Sequence, residues 1–175
     1  TIRNVAAEAE LSSGLVLFHF NTKDALLTAA LDVLLETTAV LRIDDEVARI
    51  PPSLDRLLAL LRREMERLAR DPWRIRLFFE YWVLGTRHPV IRQRIRAQLA
   101  RYRRAFLPLA KGVIAAEPAR FAEVTAEGLA TVSVGLIKGC AFQAVIDPKH
   151  FDIDQFVSAA EALMEHLRSP LPAPG

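Results

Sequence analysis

The side chains best suited to chemistry in this chain lie close to its start: Ser12, Ser13, Gly14 and His19, with Arg3 and Lys23 to either side. Hydroxyls, an imidazole and open glycine backbone can donate to and accept from base edges, while flanking cations suit phosphates. Catalysis is a poorer fit. The 4 histidines, His19, His88, His150 and His166, sit on different predicted elements, and none is at metal-ligand spacing from another histidine or from Cys140. No Gly-rich phosphate loop follows a strand, and no Ser-His-Asp arrangement can be argued. The sequence therefore predicts a protein that is not an enzyme and needs no cofactor or metal. His88, His150 and His166 read as surface or capping residues, and His19 stands apart on a short helix near the start of the chain.

Two short helices must position these groups. Val5, Ala6 and Ala9 place small apolar side chains on the inner face of the first, and Glu10-Leu11-Ser12 interrupts it. Ser12 or Ser13 can cap the second, the hydroxyl accepting from an otherwise unpaired backbone N–H. Within it Val16 and Phe20 face inward, so Leu15, Leu17 and His19 point elsewhere with the serines and Gly14. Two short helices, a tight turn and a shared apolar face make a helix-turn-helix, whose second helix can enter a DNA major groove. The groove-facing set is then Ser12, Ser13, Gly14, Leu15, Leu17, Phe18 and His19, with Thr1, Arg3 and Lys23 nearer phosphates. A third helix follows, with Asn21 and Asp24 at the spacing of a capping pair.

The string T-I-x-x-V-A-x-x-A-x-L-S-x-G-x-V-x-x-H-F-x-x-K-x-A-L-L, Thr1 to Leu27, resembles the helix-turn-helix signature of TetR-type bacterial transcriptional regulators. Leu-Val-Leu-Phe-His-Phe is closer to the subgroup that includes the choline-responsive repressor BetI. Two positions depart from the signature. The turn carries Glu10 where the family usually has Gly, which costs roughly 1 kcal/mol if φ is positive there. The family's common phosphate-contacting Tyr is Leu17. The resemblance implies a homodimer with a small DNA-reading domain and a larger ligand-responsive domain in each subunit. It also implies a further helix, often basic, before Thr1, so the chain reads as lacking the first helix of its DNA-binding domain.

The single cysteine suits a reducing cytoplasm, and the resemblance implies a bacterial, nucleoid-associated protein. The 175 residues are 51% hydrophobic, enough for a sizeable core, with 1 cysteine and a net charge of only +2. No secretory signal is legible. The predicted organisation is all-α: residues 1–41 form the helix-turn-helix domain with its connecting helix, 42–168 a TetR-type bundle for ligand binding and dimerisation, and 169–175 a disordered tail. The third helix runs from about Lys23 to Leu41, and Arg42 to Pro52 is a connector. Ser53, Asp71-Pro72, His88-Pro89 and Glu117-Pro118 start successive helices; Asp147-Pro148 ends the last of these. Asp152 and Gln155 cap a final helix ending near Arg168. The arginines along 89–107 circle their helix and read as a solvated surface.

Two segments point to partners. Residues 73–84, WRIRLFFEYWVL, are aromatic on more than one side. They read either as bundle core or as one wall of an apolar cavity formed by Trp73, Phe78 and Trp82 with Leu61, Met65, Tyr102 and Phe106, which would take an unidentified apolar small molecule. Residues 129–146 are apolar nearly all round; Lys138, Gln143, Ser133 and two glycines argue against a membrane span. Such a helix needs cover on two sides. With the stripe on the last helix it predicts a four-helix dimer interface through Leu136, Cys140, Gln143, Phe156, Ala160, Leu163 and Leu167. The resulting expectation is a ligand-responsive repressor that binds a pseudo-palindromic double-stranded operator as a homodimer. The alternative is an all-α dimer that binds small molecules or other proteins without DNA.

Overall fold

The computed structural model describes residues 1–38 and 43–166, with the side chains of 1–36 and 43–164. Among the described residues every regular element is an α-helix. The order is α1 (Ile2–Glu8), α2 (Ser13–His19), α3 (Lys23–Thr38), α4 (Asp45–Arg49), α5 (Leu54–Ala69), α6 (Pro72–Gly85), α7 (Pro89–Ala116), α8 (Ala126–Ile146) and α9 (Ile153–His166). Leu167, Val40, the expected end of the third helix at Leu41, the end near Arg168 and the tail lie outside the described residues.

Local chemistry sets most of the boundaries. The hydroxyl of Ser12 accepts from Leu15 N at 3.1 Å, that of Ser53 from Arg56 N at 3.4 Å, and Asp71 Oδ1 from Arg74 N at 3.3 Å with Pro72 opening α6. Asp152 caps α9 through Gln155 N at 3.0 Å. Two boundaries differ from expectation. Thr22, rather than Asn21, caps α3, its hydroxyl accepting from Ala25 N at 3.1 Å. Glu117-Pro118 starts a set of turns, and α8 begins only at Ala126, capped by Thr125 accepting from Gly128 N at 3.0 Å. Buried Phe121 anchors those turns, and Arg120 donates from Nη2 to Met164 O of α9 at 2.8 Å. The connector before Pro51 contains the short helix α4, held to α5 by Arg63 bonding Asp44 and Glu46.

The bundle surrounds α8, which lies against α7, α5, α6 and α9. Its length and apolarity would let it cross a membrane, and these neighbours bury 44% of its most apolar stretch. The main core runs through Leu57, Leu61, Met65, Tyr102, Phe106, Val134, Ile137 and Cys140. A second cluster joins Leu31, Leu34 and Leu35 of α3 to Phe78 and Tyr81 of α6 and Ile91 and Ile95 of α7. Here α6 and α7 approach closely at Gly85, where an added Cβ would stand 2.9 Å from Ile95 Cδ1. This second cluster carries the reading head. Around it, Tyr81 OH donates to Leu27 O at 2.8 Å, and Arg94 of α7 bonds both oxygens of Asp32 at 2.5 and 2.6 Å.

Candidate nucleic-acid interface and effector groove

The α1–α2 turn is a tight helix ending. Glu10 has φ 55°, Glu10 N donates to Ala7 O at 3.1 Å, and Leu11 N reaches back to Ala6 O at 2.8 Å. This is the paired bonding of a Schellman ending, with Glu10 in the left-handed position usually given to Gly. Ala6 and Val16 are both buried, whereas Val5 and Ala9 of the expected inner face are exposed.

Helix α2 turns Gly14, Leu15, Leu17, Phe18 and His19 outward. Phe18 is 79% exposed and stacks edge-on against His19, with ring centroids 5.4 Å apart. Ser13 is half-buried, and Arg3 and Lys23 are exposed. Thr1 and Ser12 are already committed locally: Thr1 Oγ1 accepts from Asn4 N at 3.2 Å, and Ser12 caps α2. Thus Gly14, Leu15, Leu17, Phe18 and His19 share one exposed surface on α2, while the Thr1 and Ser12 hydroxyls are spent on the caps of α1 and α2.

The expected aromatic cavity is not assembled as drawn. Leu61, Met65, Phe78, Tyr102 and Phe106 are core residues, all 2% exposed or less. Trp73 lies on the surface at 68% exposure. Aromatic density here signals burial, because large rings fill the interior they face. Only Trp82 borders an open groove, of about 560 Å³, between α6 and α8. Phe79, Phe142, Gly135, Gly139 and Lys138 complete most of its wall.

Behind that wall lies a charged cluster absent from the sequence reading. Glu64, only 2% exposed, takes Arg67 Nε at 3.0 Å, Arg67 Nη2 at 2.8 Å and the Tyr102 hydroxyl at 2.6 Å. Lys138 Nζ sits 4.5 Å from the Phe78 ring centroid and 5.0 Å from that of Tyr102, with no hydrogen-bond acceptor. Burial pushes the Lys138 ammonium down to about 8, opposed by Glu64 and assisted by Arg67. Burial, then the Glu64 charge, pushes the Tyr102 phenol upward. The Glu64 hydrogen bond holds Arg67 above its ordinary value. The signal was legible in part: Glu64 interrupts the Leu61, Met65, Leu68 stripe, and Lys138 interrupts an apolar run.

The dimer candidates divide. Cys140 and Ala160 are 0% and 6% exposed and point into their own subunit, so the expected helical phase was off at these two positions. Leu136 and Phe156 are half-buried against the core. Gln143 and Leu163 are exposed, the latter at 70%. Val132, Phe142 and Ile146 of α8 are exposed as well. Among the described residues no group of three or more His, Cys, Asp or Glu side chains could hold a metal ion.

A short helix pair with an outward second helix, set by a connecting helix on a larger bundle, is the architecture of a one-chain transcriptional regulator. Residues 52–169 match the family model for the C-terminal domain of BetI-type transcriptional repressors. The chain therefore belongs to the TetR family of DNA-binding transcriptional regulators, with a BetI-type C-terminal domain; this is a family of regulators, not enzymes. No curated protein matches the chain significantly. Its fold is similar to that of a transcriptional regulator from Rhodococcus sp. Rha1 (TM-score 0.71, 20% identity, covering 95% of this chain and 84% of that one). A regulator from Saccharomonospora viridis in complex with choline is also similar (0.68, 21%, 95% and 85%). So is one from Pseudomonas aeruginosa PAO1 (0.71, 23%, 95% and 79%).

Proposed function

We propose that this regulator is a cytoplasmic, homodimeric repressor that binds a pseudo-palindromic operator and leaves it when a small molecule binds the bundle. The observation that carries this reading is the outward face of α2, where Gly14, Leu15, Leu17, Phe18 and His19 are offered together beside Arg3 and Lys23. A surface phenylalanine that is 79% exposed suits contact with thymine methyls better than contact with water. The apolar outer surface of α8 and α9, with Val132, Ile146 and Leu163, supports dimerisation through these two helices. The choline-bound relative supports a small-molecule effector in a fold of this kind.

The coupling follows from the contacts. Phe78 and Tyr81 occupy one helix, and Tyr81 holds the backbone of α3 at Leu27 while Arg94 holds its Asp32. A ligand that favours one position of α6 therefore favours one position of α3, and with it one spacing of the two reading heads. The test is selection from a pool of random duplexes, followed by binding at graded salt. An inverted repeat should be enriched, with affinity falling steeply as salt rises. Enrichment of no sequence, or of a lone half-site by a monomer, refutes the reading.

A further inference from the structure

Behind the α6–α8 groove one buried cation, Lys138, is left without an acceptor, while Arg67 keeps 32% of its side chain exposed. Two cations, Arg67 and Lys138, face one carboxylate, Glu64, whose oxygens are already bonded by Arg67 and Tyr102. Lys138 is 7% exposed, and its ammonium has only the Phe78 and Tyr102 ring faces for company. A buried ammonium without an acceptor is costly, and one anion would complete the set.

We propose that the groove takes an amphipathic monocarboxylate, its carboxylate bonding Lys138 Nζ and its apolar body lying on Phe79, Trp82 and Phe142 across Gly135 and Gly139. The inference rests on the ligand-responsive reading above and names the class of effector. The groove has room, since a Cβ added at Gly135 or Gly139 would meet nothing within 4 Å. The ammonium is covered, so the Lys138 side chain must swing from the two rings toward the ligand. An ammonium–carboxylate hydrogen bond is stronger than the ring contacts it replaces, so the exchange is favourable. It also vacates the space between Phe78 and Tyr102, one turn from the Tyr81 contact with α3, and gives the ligand a lever on the reading head. A quaternary ammonium such as choline is disfavoured here. It would bring a second positive charge up to the Lys138 ammonium, which already lacks an acceptor.

The test is tryptophan emission in a Trp73→Phe background, leaving Trp82 at the groove as reporter, titrated with octanoate, 1-octanol and choline at pH 7. Octanoate should give a saturable change at a concentration at least tenfold below 1-octanol, and choline should give none. Lys138→Met should weaken octanoate at least tenfold and leave 1-octanol unchanged, while Lys138→Arg should keep octanoate. Equal binding of octanol and octanoate, an unaffected Lys138→Met, or no saturable octanoate binding (as when a second copy closes the groove) overturns the proposal. The selected duplex is titrated in parallel. Octanoate binding without duplex release supports the carboxylate site and refutes the ligand-responsive mechanism; duplex binding without octanoate binding refutes only the site.

Discussion

Replacing Glu10 by Gly should stabilise the reading head. Glu10 holds φ 55°, a conformation in which an L side chain crowds the following carbonyl at a cost of roughly 1–2 kcal/mol. Gly has no such cost but loses more backbone freedom on folding, by about 0.5–1 kcal/mol, so the net gain is about 1 kcal/mol or slightly less. The gain belongs to the α1–α2 unit, because the two reverse bonds at this ending, Leu11 N to Ala6 O and Glu10 N to Ala7 O, form only while the turn is closed. Hydrogen exchange at the Leu11 amide reads it directly. In the variant that amide should exchange up to about fivefold more slowly, while amides in α5 and α8 keep their rates. Exchange unchanged or faster at Leu11 would refute the assignment of strain to this turn.

Four further outcomes follow from the same structure. Glu64→Ala strands Arg67 and Lys138 without a carboxylate and should cost about 3–5 kcal/mol in urea unfolding, far more than a surface Glu→Ala such as Glu123→Ala. Lys138 has a folded value of about 8 against an ordinary 10.5, so in that window the unfolded chain binds the extra proton and rising pH favours the fold. Glu64, Arg67 and Tyr102 face it, and Tyr102 stays neutral throughout. The stability advantage of Lys138→Met over wild type should therefore be largest below pH 8 and shrink toward pH 10; a constant gap refutes this. Tyr81→Phe loses the bond to Leu27 O, should cost about 1 kcal/mol, and should weaken the effect of ligand on operator affinity more than operator binding itself. Leu163→Asp should give a folded monomer by light scattering, whereas Ala160→Asp, buried at 6%, should unfold the subunit; a dimeric Leu163→Asp protein removes that residue from the interface.

Features fixed by neighbours along the chain were legible without coordinates. Ser12, Ser53, Asp71 and Asp152 lie before helical stripes and cap them through bonds only three residues long. The left-handed turn at Glu10 followed from one spaced signature, because a tight helix ending demands that backbone whatever occupies it. The outward face of α2 followed from Val16 and Phe20 being expected inward, and Val16 is buried while Phe20 is half-buried. Other features depend on how helices meet, and periodicity gives a buried face no account of its neighbours. Cys140 and Leu163 sit on equally apolar stripes, yet the first is buried in the main core and the second is 70% exposed. Trp73 and Phe78 belong to one aromatic run, and Phe78 is buried because α3, α7 and α8 converge on it while Trp73 stays exposed. Glu64 and Lys138 stand far apart in the chain, as do Tyr81 and Leu27; their partnership exists only because α5, α6, α7 and α8 converge and α3 crosses α6. A charge's partner within one helical turn can be read from spacing, whereas a partner on another helix is decided by tertiary packing.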